Sequence, residues 1–476
     1  AVGYLGHRAH SRYRCSSRLE PVSAKVRAVL GTAIDAPEMG AIRIRERALR
    51  QVTEPGLIES VLLPGDADYA PSLATLRREQ AVVELGSGEY LLPGFVDLHN
   101  HAPQWPQLGK ALDVPLEDWL DRYTFPLEAR YRDEEFARRA YSSLVAAMIA
   151  NGTTTAVYFG SAHLPATQLL AELCLQAGQR ALVGRVAMDA VDTCPDYYRD
   201  SSAGLAIEET EALITGVGAM PGNEQRLVQP VITPRFIPSC TDELLAGLGE
   251  IARVTDAHVQ THCSESDWAH EYGLARYGRT DTVSYDYFGL LTRKTVLAHC
   301  NFITCPDMDL IASRGAAIAH CPLSNAYFAN AVFPLRRALE SGVRVGLGTD
   351  ISGGPGTSIL RAMADTVVMS RLLEDGVDAD IPTASRGVSG SRVSSMEAFY
   401  LGTTAGGIAL GLPIGLLSPG MSFDAILVDS AAAESDLTLW EEFDSTDEIL
   451  QKIIHSANRN NIKQVWVAGT SVKGPV

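Results

Sequence analysis

The chain is 476 residues long, with 46% hydrophobic and 20% charged residues, which is the composition of a globular protein. This length predicts one large domain with a smaller satellite rather than a single compact core. The formal net charge of −17 argues against a nucleic-acid partner, because such a partner requires a basic surface. The chain contains no run of about 18 or more apolar residues, so we expect no membrane span.

The eight cysteines are scattered along the chain, and none of them forms a C-x-x-C pair. In a chain of this size such a distribution is typical of reduced thiols in a cytoplasmic protein, not of a disulfide framework. We therefore expect no disulfide bonds and a cytoplasmic location.

Residues 1–25 differ from the rest of the chain, since they carry four arginines, several serines and a single acidic residue, Glu20. This composition loosely resembles an organelle transit segment, whereas the apolar run of a secretory signal is lacking. We expect a flexible or non-native N-terminal segment in preference to a targeting signal.

Both ends of the chain contain short segments that alternate between apolar and polar residues, as β-strands do. They cover 26–30, 41–45, 57–63 and 81–85 near the N-terminus, and 424–428 and 465–468 near the C-terminus. We predict that residues 26–92 and 411–476 together build a small β-sandwich domain, whose second part also contains a C-terminal helix.

The middle of the chain alternates apolar runs with helical stretches, which predicts a parallel sheet. The helical stretches include 133–150, 166–177 and 242–254. The apolar runs are 91–97, 153–159, 181–188, 227–233, 257–261, 295–298, 316–319 and 343–348. Eight such units predict a (β/α)8 TIM-type barrel over residues 93–410. Segment 378–395, rich in serine, arginine and glycine, is predicted to be a solvated surface loop rather than a flap near the rim.

The first of these runs ends in His-x-His, at His99 and His101. Side chains two residues apart on a strand point to the same face, so both imidazoles would project together from one strand end. Such a pair suits a divalent metal such as zinc, although two partly buried histidines would give the same pattern.

Polar residues also follow the ends of other predicted strands. His262 and Glu265 follow the fifth strand, His299 ends the sixth, and Asp350 follows the eighth. Active sites of such barrels lie at the carboxyl ends of the strands, so these side chains are predicted to converge on one rim with His99 and His101.

This constellation resembles the amidohydrolase superfamily, from about residue 31 to the C-terminus. Members of the superfamily bind metal through His-x-His, a histidine after strand five, a histidine after strand six and an aspartate after strand eight. Three strings are more specific, and they resemble the members that deaminate guanine. These strings are His101-Ala102-Pro103-Gln104, Tyr123-Thr124-Phe125-Pro126 and Thr233-Pro234-Arg235-Phe236.

The resemblance implies that His99, His101, His262 and Asp350 bind the metal, and that His299 contacts the bound water. Binuclear members carry a bridging lysine or glutamate after strand four. The stretch Thr233-Pro234-Arg235 offers neither, so we expect one Zn2+ per subunit, with iron or manganese as less favoured metals.

The expected chemistry is hydrolytic deamination of guanine to xanthine and ammonia by a metal-activated hydroxide. Asp350 would accept a proton from the attacking water. Glu265, three residues beyond His262, would carry protons to a ring nitrogen and then to the leaving amine. Glu265 could instead have a structural role, as an acidic residue at the start of a helix that interacts with the helix dipole.

The resemblance also implies the substrate contacts. Gln104 and Arg235 would hydrogen-bond the purine and Phe236 would stack on its ring, beside His262 and Glu265. Two of these residues also have a structural reading: Phe236 alone could be a core residue, and Arg235 alone could be a salt-bridged residue of the rim.

Two alternatives remain open at this point. The first is a related aminohydrolase that acts on 8-oxoguanine, a pterin or an aminotriazine. The second is a non-catalytic scaffold that keeps the fold. We expect a small-molecule substrate and a homodimer, with neither nucleic acid nor membrane as a partner.

Overall fold

A barrel of parallel strands surrounded by helices occupies the middle of the chain. The computed structural model describes residues 25–329, 331–440 and 442–473. The predicted N-terminal segment, residues 1–25, therefore lies outside the described residues apart from Lys25. Among the described helices, none is both long enough and apolar enough to cross a membrane.

The strands and helices follow one another in the order that the alternating pattern predicts. The strands are β1 Ala28–Glu38, β2 Ala41–Val52, β3 Ile58–Leu62, β4 Val82–Glu84, β5 Glu89–Pro93, β6 Phe95–His101, β7 Thr153–Phe159, β8 Arg180–Gly184, β9 Val186–Ala187, β10 Val228–Pro234, β11 His258–Cys263, β12 Thr295–His299, β13 Ala317–His320, β14 Arg344–Leu347, β15 Ala425–Asp429, β16 Ile462–Val467 and β17 Thr470–Lys473. The α-helices are α1 Tyr69–Arg78, α2 Leu116–Trp119, α3 Phe125–Glu128, α4 Glu134–Ala150, α5 Leu164–Gln176, α6 Ala203–Gly218, α7 Asp242–Thr255, α8 Asp267–Tyr277, α9 Asp281–Tyr287, α10 Cys305–Arg314, α11 Pro322–Phe328, α12 Leu335–Glu340, α13 Ile359–Asp375, α14 Thr383–Arg386, α15 Ser395–Gly402, α16 Thr404–Leu410 and α17 Thr446–Ser456.

The barrel strands lie side by side in the order β6-β7-β8-β10-β11-β12-β13-β14, all parallel, and the short β9 pairs with β10. The last strand returns to the first. Asp350 donates its backbone N–H to the His99 carbonyl oxygen at 2.8 Å, and His101 donates to the Ile351 carbonyl oxygen at 2.9 Å. These bonds nearly close the barrel, which confirms the predicted (β/α)8 fold.

Burial explains why the barrel strands read as continuous apolar runs. Every residue of β7 is buried, since the strand packs on the barrel interior on one side and on helices on the other. The surrounding helices are amphipathic instead. In α7 the side chains of Leu244, Leu248 and Ile251 are buried, and Thr241 caps the helix by accepting from the Leu244 N–H.

The second sheet is built from both chain ends, as predicted. Its strands follow the order β17-β16-β15-β5-β1-β2-β3, and β4 pairs with β1. Segment 378–395 lies between α13 and α15 and is mostly exposed, with the short α14 inside it. The Ser391 N–H donates to the carboxylate of Glu374 at 2.5 Å and so ties this surface loop to the end of α13.

One predicted strand is in fact two. The run 91–97 divides at Gly94, so that β5 pairs with β15 of the small sheet while β6 begins the barrel. Gly94 donates its N–H to the Asp424 carbonyl oxygen at 2.9 Å. A Cβ atom at this position would lie 2.2 Å from the Thr154 side chain, so only glycine fits where the chain passes between the sheets. Because both halves are apolar, the sequence pattern does not reveal the division.

Replacing Gly184 by alanine is expected to lower stability by about 1–3 kcal/mol, because the barrel has no room for the added methyl group. Its Cβ would lie 1.9 Å from Thr233 Oγ1 and 2.5 Å from the Val231 carbonyl oxygen. The measurement is the midpoint of chemical denaturation. Gly65→Ala is the control, since no heavy atom lies within 4 Å of its added Cβ. Equal midpoints for Gly184→Ala and the unsubstituted protein would contradict this expectation.

Candidate active site

The four side chains assigned to the metal lie together at the carboxyl ends of three barrel strands. His99 and His101 end β6, His262 lies near the end of β11, and Asp350 follows β14. Asp350 Oδ1 is 3.2 Å from His99 Nε2 and 3.6 Å from His101 Nε2. His101 Nε2 and His262 Nε2 are 2.9 Å apart. All four residues are buried, so the structure brings the predicted ligand set into one enclosed cluster.

Protonation and tautomer state make this cluster fit a divalent metal. Burial lowers the pKa of His99, His101 and His262 and thus favours neutral imidazoles. Burial alone would raise the pKa of Asp350, but its interactions with the neighbouring histidines outweigh burial and hold that pKa well below its usual range. The Nδ1 atom of His262 is 2.5 Å from the Arg235 carbonyl oxygen, to which it donates, so Nε2 keeps its lone pair for the cluster. The buried Nε2 of His99 faces Asp350 Oδ1 at 3.2 Å and makes no other contact of hydrogen-bond geometry.

His299 and Glu265 lie beside this cluster. His299 Nε2 is 3.6 Å from Glu265 Oε1 and 3.9 Å from Asp350 Oδ2. The other ring nitrogen of His299 lies 2.9 Å from Asn325 Oδ1 and donates to it, so Nε2 is the nitrogen that faces the two carboxylates. Glu265 is buried, and burial raises the pKa of its carboxyl group. The ligand atoms of Glu265, His299 and Asp350 lie within 4.8 Å of one another.

Backbone strain is concentrated where these side chains leave the barrel. Left-handed backbone conformations are costly for residues other than glycine, and they cluster at functional sites. Four non-glycine residues at the strand ends adopt them: Ser264 (φ 44°), His299 (φ 73°), Cys300 (φ 57°) and Asp350 (φ 50°). The surrounding barrel holds these turns and so directs the functional side chains inward.

A cavity opens onto the cluster. The three residues predicted to contact a substrate, Gln104, Arg235 and Phe236, all line it. Gln104 lies on a 3-10 turn after β6, and the other two follow β10 directly. The full lining is His101, Gln104, Leu116, Trp119, Leu120, Arg235, Phe236, His262, Glu265, Phe328, Asp350 and Gly353.

The apolar wall of this cavity was not predicted from the sequence. Leu116 and Trp119 come from α2, Leu120 follows that helix, and Phe328 ends α11. Trp119 and Phe328 pack with their ring centroids 5.1 Å apart. Leu120 lies three residues before the Tyr-Thr-Phe-Pro string. That string was the one sequence signal that this segment reaches the site.

Glu128 is a second unpredicted residue, and it connects two predicted ones. Its carboxylate accepts from Arg235 Nη1 at 2.7 Å and from Arg235 Nη2 at 3.2 Å. It also accepts from Gln104 Nε2 at 3.0 Å. Arg235 is therefore salt-bridged and also lines the cavity, so the two readings of this residue do not exclude each other. Glu128 lies two residues beyond the Tyr-Thr-Phe-Pro string, but nothing in the sequence pairs it with Arg235.

Asp97 supports the site from within the barrel. It is fully buried, and burial raises the pKa of its carboxyl group to about 7. It accepts from the Thr349 N–H at 3.0 Å, from Thr349 Oγ1 at 2.5 Å and from the His99 N–H at 3.2 Å. These bonds join the ends of β6 and β14, the strands that carry His99 and Asp350.

Comparisons with known proteins agree with this geometry. A sequence model of the amidohydrolase family matches residues 90–472. A probable guanine deaminase of Schizosaccharomyces pombe is 36% identical over 453 residues, which cover 94% of this chain and 83% of that protein. The guanine deaminase of Homo sapiens is 37% identical over 396 residues, covering 82% of this chain and 84% of that protein.

The solved structures include a guanine deaminase from C. acetobutylicum with guanine bound in its active site. It superimposes with a TM-score of 0.82 at 30% identity, over 94% of this chain and 99% of that chain. The chain therefore belongs to the amidohydrolase family, where it groups with the guanine deaminases.

Proposed function

We propose that this protein hydrolyses guanine to xanthine and ammonia at the cluster described above. One observation carries the proposal. Three members of the buried cluster, His101, His262 and Asp350, line the same cavity as Gln104, Arg235 and Phe236. A neutral heteroaromatic ring needs such a combination of an amide, a cationic donor and an aromatic face.

We further propose that the metal is one Zn2+ per subunit, held by His99, His101, His262 and Asp350. Three imidazole nitrogens and one carboxylate oxygen are ligands that zinc accepts, although iron and manganese use the same donor types. When bound, the metal lowers the pKa of a coordinated water to about 7 and so supplies a nucleophile at neutral pH. The stretch Thr233-Pro234-Arg235 at the end of β10 offers no second bridging ligand.

The remaining side chains move protons. Asp350 accepts a proton from the attacking water, and His299 holds that water by a hydrogen bond while addition to C2 of guanine takes place. Glu265 protonates a ring nitrogen, takes up the hydroxyl proton of the tetrahedral adduct and passes it to the amine as the C2–N bond breaks and ammonia leaves; the proton on Asp350 then restores Glu265. Glu265 suits this transfer because its Oε1 lies 3.6 Å from His299 Nε2 and the side chain borders the cavity.

The substrate contacts follow from how Gln104 and Arg235 are held. The Gln104 side-chain oxygen accepts from the Ser352 N–H at 3.0 Å and its nitrogen donates to Glu128, so the amide has one orientation. It still offers one N–H and one lone pair to the cavity. We propose that Arg235 donates to the guanine carbonyl oxygen, that Gln104 hydrogen-bonds the ring edge, and that Phe236 stacks on the ring beside His262.

The test is ammonia release by zinc-loaded protein from guanine, measured beside release from 8-oxoguanine, isoxanthopterin and ammeline. We expect guanine to be the preferred substrate and xanthine to be the product. Preference for one of the other compounds would favour the related aminohydrolase and contradict the proposed contacts. A folded protein that contains no metal and releases no ammonia would instead identify a non-catalytic scaffold.

We also propose that the protein is a cytoplasmic homodimer. The seven described cysteines are free thiols, as a reducing compartment would keep them. Trp440 and Phe443 are 56% and 80% exposed, and exposed apolar groups of this size are typical of interfaces. Light scattering should give a molar mass of twice 51.1 kDa.

A further inference from the structure

Glu128 is a buried carboxylate that binds two of the residues lining the cavity, Arg235 and Gln104, and the chemistry described above leaves it without a role. It ends α3, and only 1% of it is exposed. Four groups donate to its two oxygens: both terminal nitrogens of Arg235, the Gln104 amide and the Tyr198 hydroxyl. Such complete coordination marks a carboxylate that organises its neighbours.

The pair of Glu128 and Arg235 is enclosed on all sides. Both residues are at most 2% exposed. A buried ion pair costs several kcal/mol of desolvation per ion, which the attraction offsets only when the geometry is good. Here two nearly parallel N–H groups meet two carboxylate oxygens, the geometry that arginine favours with carboxylates. Burial lowers the pKa of Arg235, but Glu128 outweighs burial and the net shift is upward.

This pairing decides which way the donors of Arg235 point. The guanidinium also lies over the Phe125 ring, with its central carbon 5.0 Å from the ring centroid. With one edge held by Glu128 and one face held by Phe125, the guanidinium cannot turn. Nη1 also lies 4.0 Å from the Met188 sulfur, so the N–H groups left for a substrate are those of Nη2 and Nε. Without Glu128 the guanidinium would lose its partner, and the Gln104 amide would be free to rotate.

We propose that Glu128 is the positioning residue that holds Arg235 and Gln104 in the orientation that recognises a 6-oxopurine. The inference rests on the proposed function. A 6-oxo group accepts from the fixed guanidinium, whereas a 6-amino group would place donor against donor in a buried site. Glu128 therefore acts through Arg235 and Gln104 on substrate affinity and on the choice between 6-oxo- and 6-aminopurines, not on proton transfer.

Glu128→Gln tests the proposal, with 2,6-diaminopurine as the 6-amino analogue of guanine. We expect KM for guanine to rise about 10- to 100-fold, the usual effect of losing a charged hydrogen bond, with a much smaller change in kcat. The preference for guanine over 2,6-diaminopurine should fall by a similar factor. Metal content should remain that of the unsubstituted protein. Glu128→Asp, which keeps the charge on a shorter side chain, should restore part of the affinity and remains usable if Glu128→Gln folds poorly.

A double-mutant cycle separates positioning from general destabilisation. If Glu128 acts through Arg235, then Glu128→Gln added to Arg235→Met should cost little further kcat/KM. Asp424→Asn is the matched control, because Asp424 is equally buried and pairs with Arg180 at 3.0 Å away from the cavity. This control should lower the melting temperature without changing KM or substrate preference.

Unchanged KM and preference in Glu128→Gln, or fully additive effects with Arg235→Met, would overturn the proposal. Failure of the proposed function has a different signature, since the unsubstituted protein itself would then release no ammonia from guanine. If another aminohydrolase substrate is turned over instead, KM for that substrate is compared between Glu128→Gln and the unsubstituted protein. This comparison then tests the role of Glu128 independently of the proposed function.

Discussion

Replacing Glu265 by glutamine is expected to lower kcat for guanine by about 10²- to 10⁴-fold, the range usual for loss of a positioned proton-transfer group. Glutamine has nearly the same shape and fills the same space, but it cannot take up and release a proton. Glu265 is buried, borders the cavity and lies 3.6 Å from His299 Nε2. KM should change much less than kcat, because ring contacts to Gln104 and Arg235 remain.

The decisive measurement combines steady-state kinetics with metal analysis of the same preparation. Metal content should stay at the level of the unsubstituted protein, which shows that chemistry and not metal binding was lost. Glu271→Gln is a suitable control, since this acid lies on α8 near Glu265 in the chain but is exposed. Near-normal kcat in Glu265→Gln would assign the proton transfers to another group and contradict the proposed role.

Removing a metal ligand is expected to have the second large effect. In His101→Ala the cluster loses one imidazole, and bound metal should fall from one per subunit to near zero. Turnover should fall in parallel, because the water would then lack a metal to lower its pKa towards neutrality. His101 is chosen because its Nε2 faces both His262 and Asp350 within the buried cluster.

Metal content measured by mass spectrometry gives a readout that does not depend on activity. His320→Asn is the matched control, because His320 is also a buried histidine at the end of a barrel strand but lies outside the ligand set. It should keep one metal per subunit. Treating the unsubstituted protein with a chelator should abolish turnover, and added Zn2+ should restore it. Full metal content in His101→Ala would remove His101 from the proposed ligands.

Buried ionisable groups are costly, and this site contains many of them. The three histidines escape most of that cost by staying neutral, since burial lowers their pKa. The pKa of Asp350 is instead lowered well below its usual range, chiefly by its interaction with His99. A metal ion would satisfy the lone pairs that face the centre of this cluster, and its binding should therefore also stabilise the folded protein.

Much of the catalytic machinery could be predicted from the sequence, and for a physical reason. Strands have a period of two residues, so His99 and His101 share a face wherever that strand lies. Parallel strands of a barrel end on the same rim, so a strand-end position already places His262, His299 and Asp350 near them. These predictions depend on local periodicity and on topology, both of which can be inferred from the amino-acid sequence.

Contacts between segments that lie far apart in the chain follow only from the tertiary structure. Glu128 pairs with Arg235 although 107 residues separate them, and neither α3 nor the end of β10 shows the pairing by its own pattern. Phe328 and Trp119 are a second such case, because their rings pack together in the cavity wall although they belong to distant segments. The strand-end positions of the proposed ligands and the barrel that gathers them could therefore be predicted from the sequence. The orientation of Arg235 and Gln104 and the shape of the cavity depended on packing, because side-chain partners are chosen by proximity in space, which no local pattern encodes.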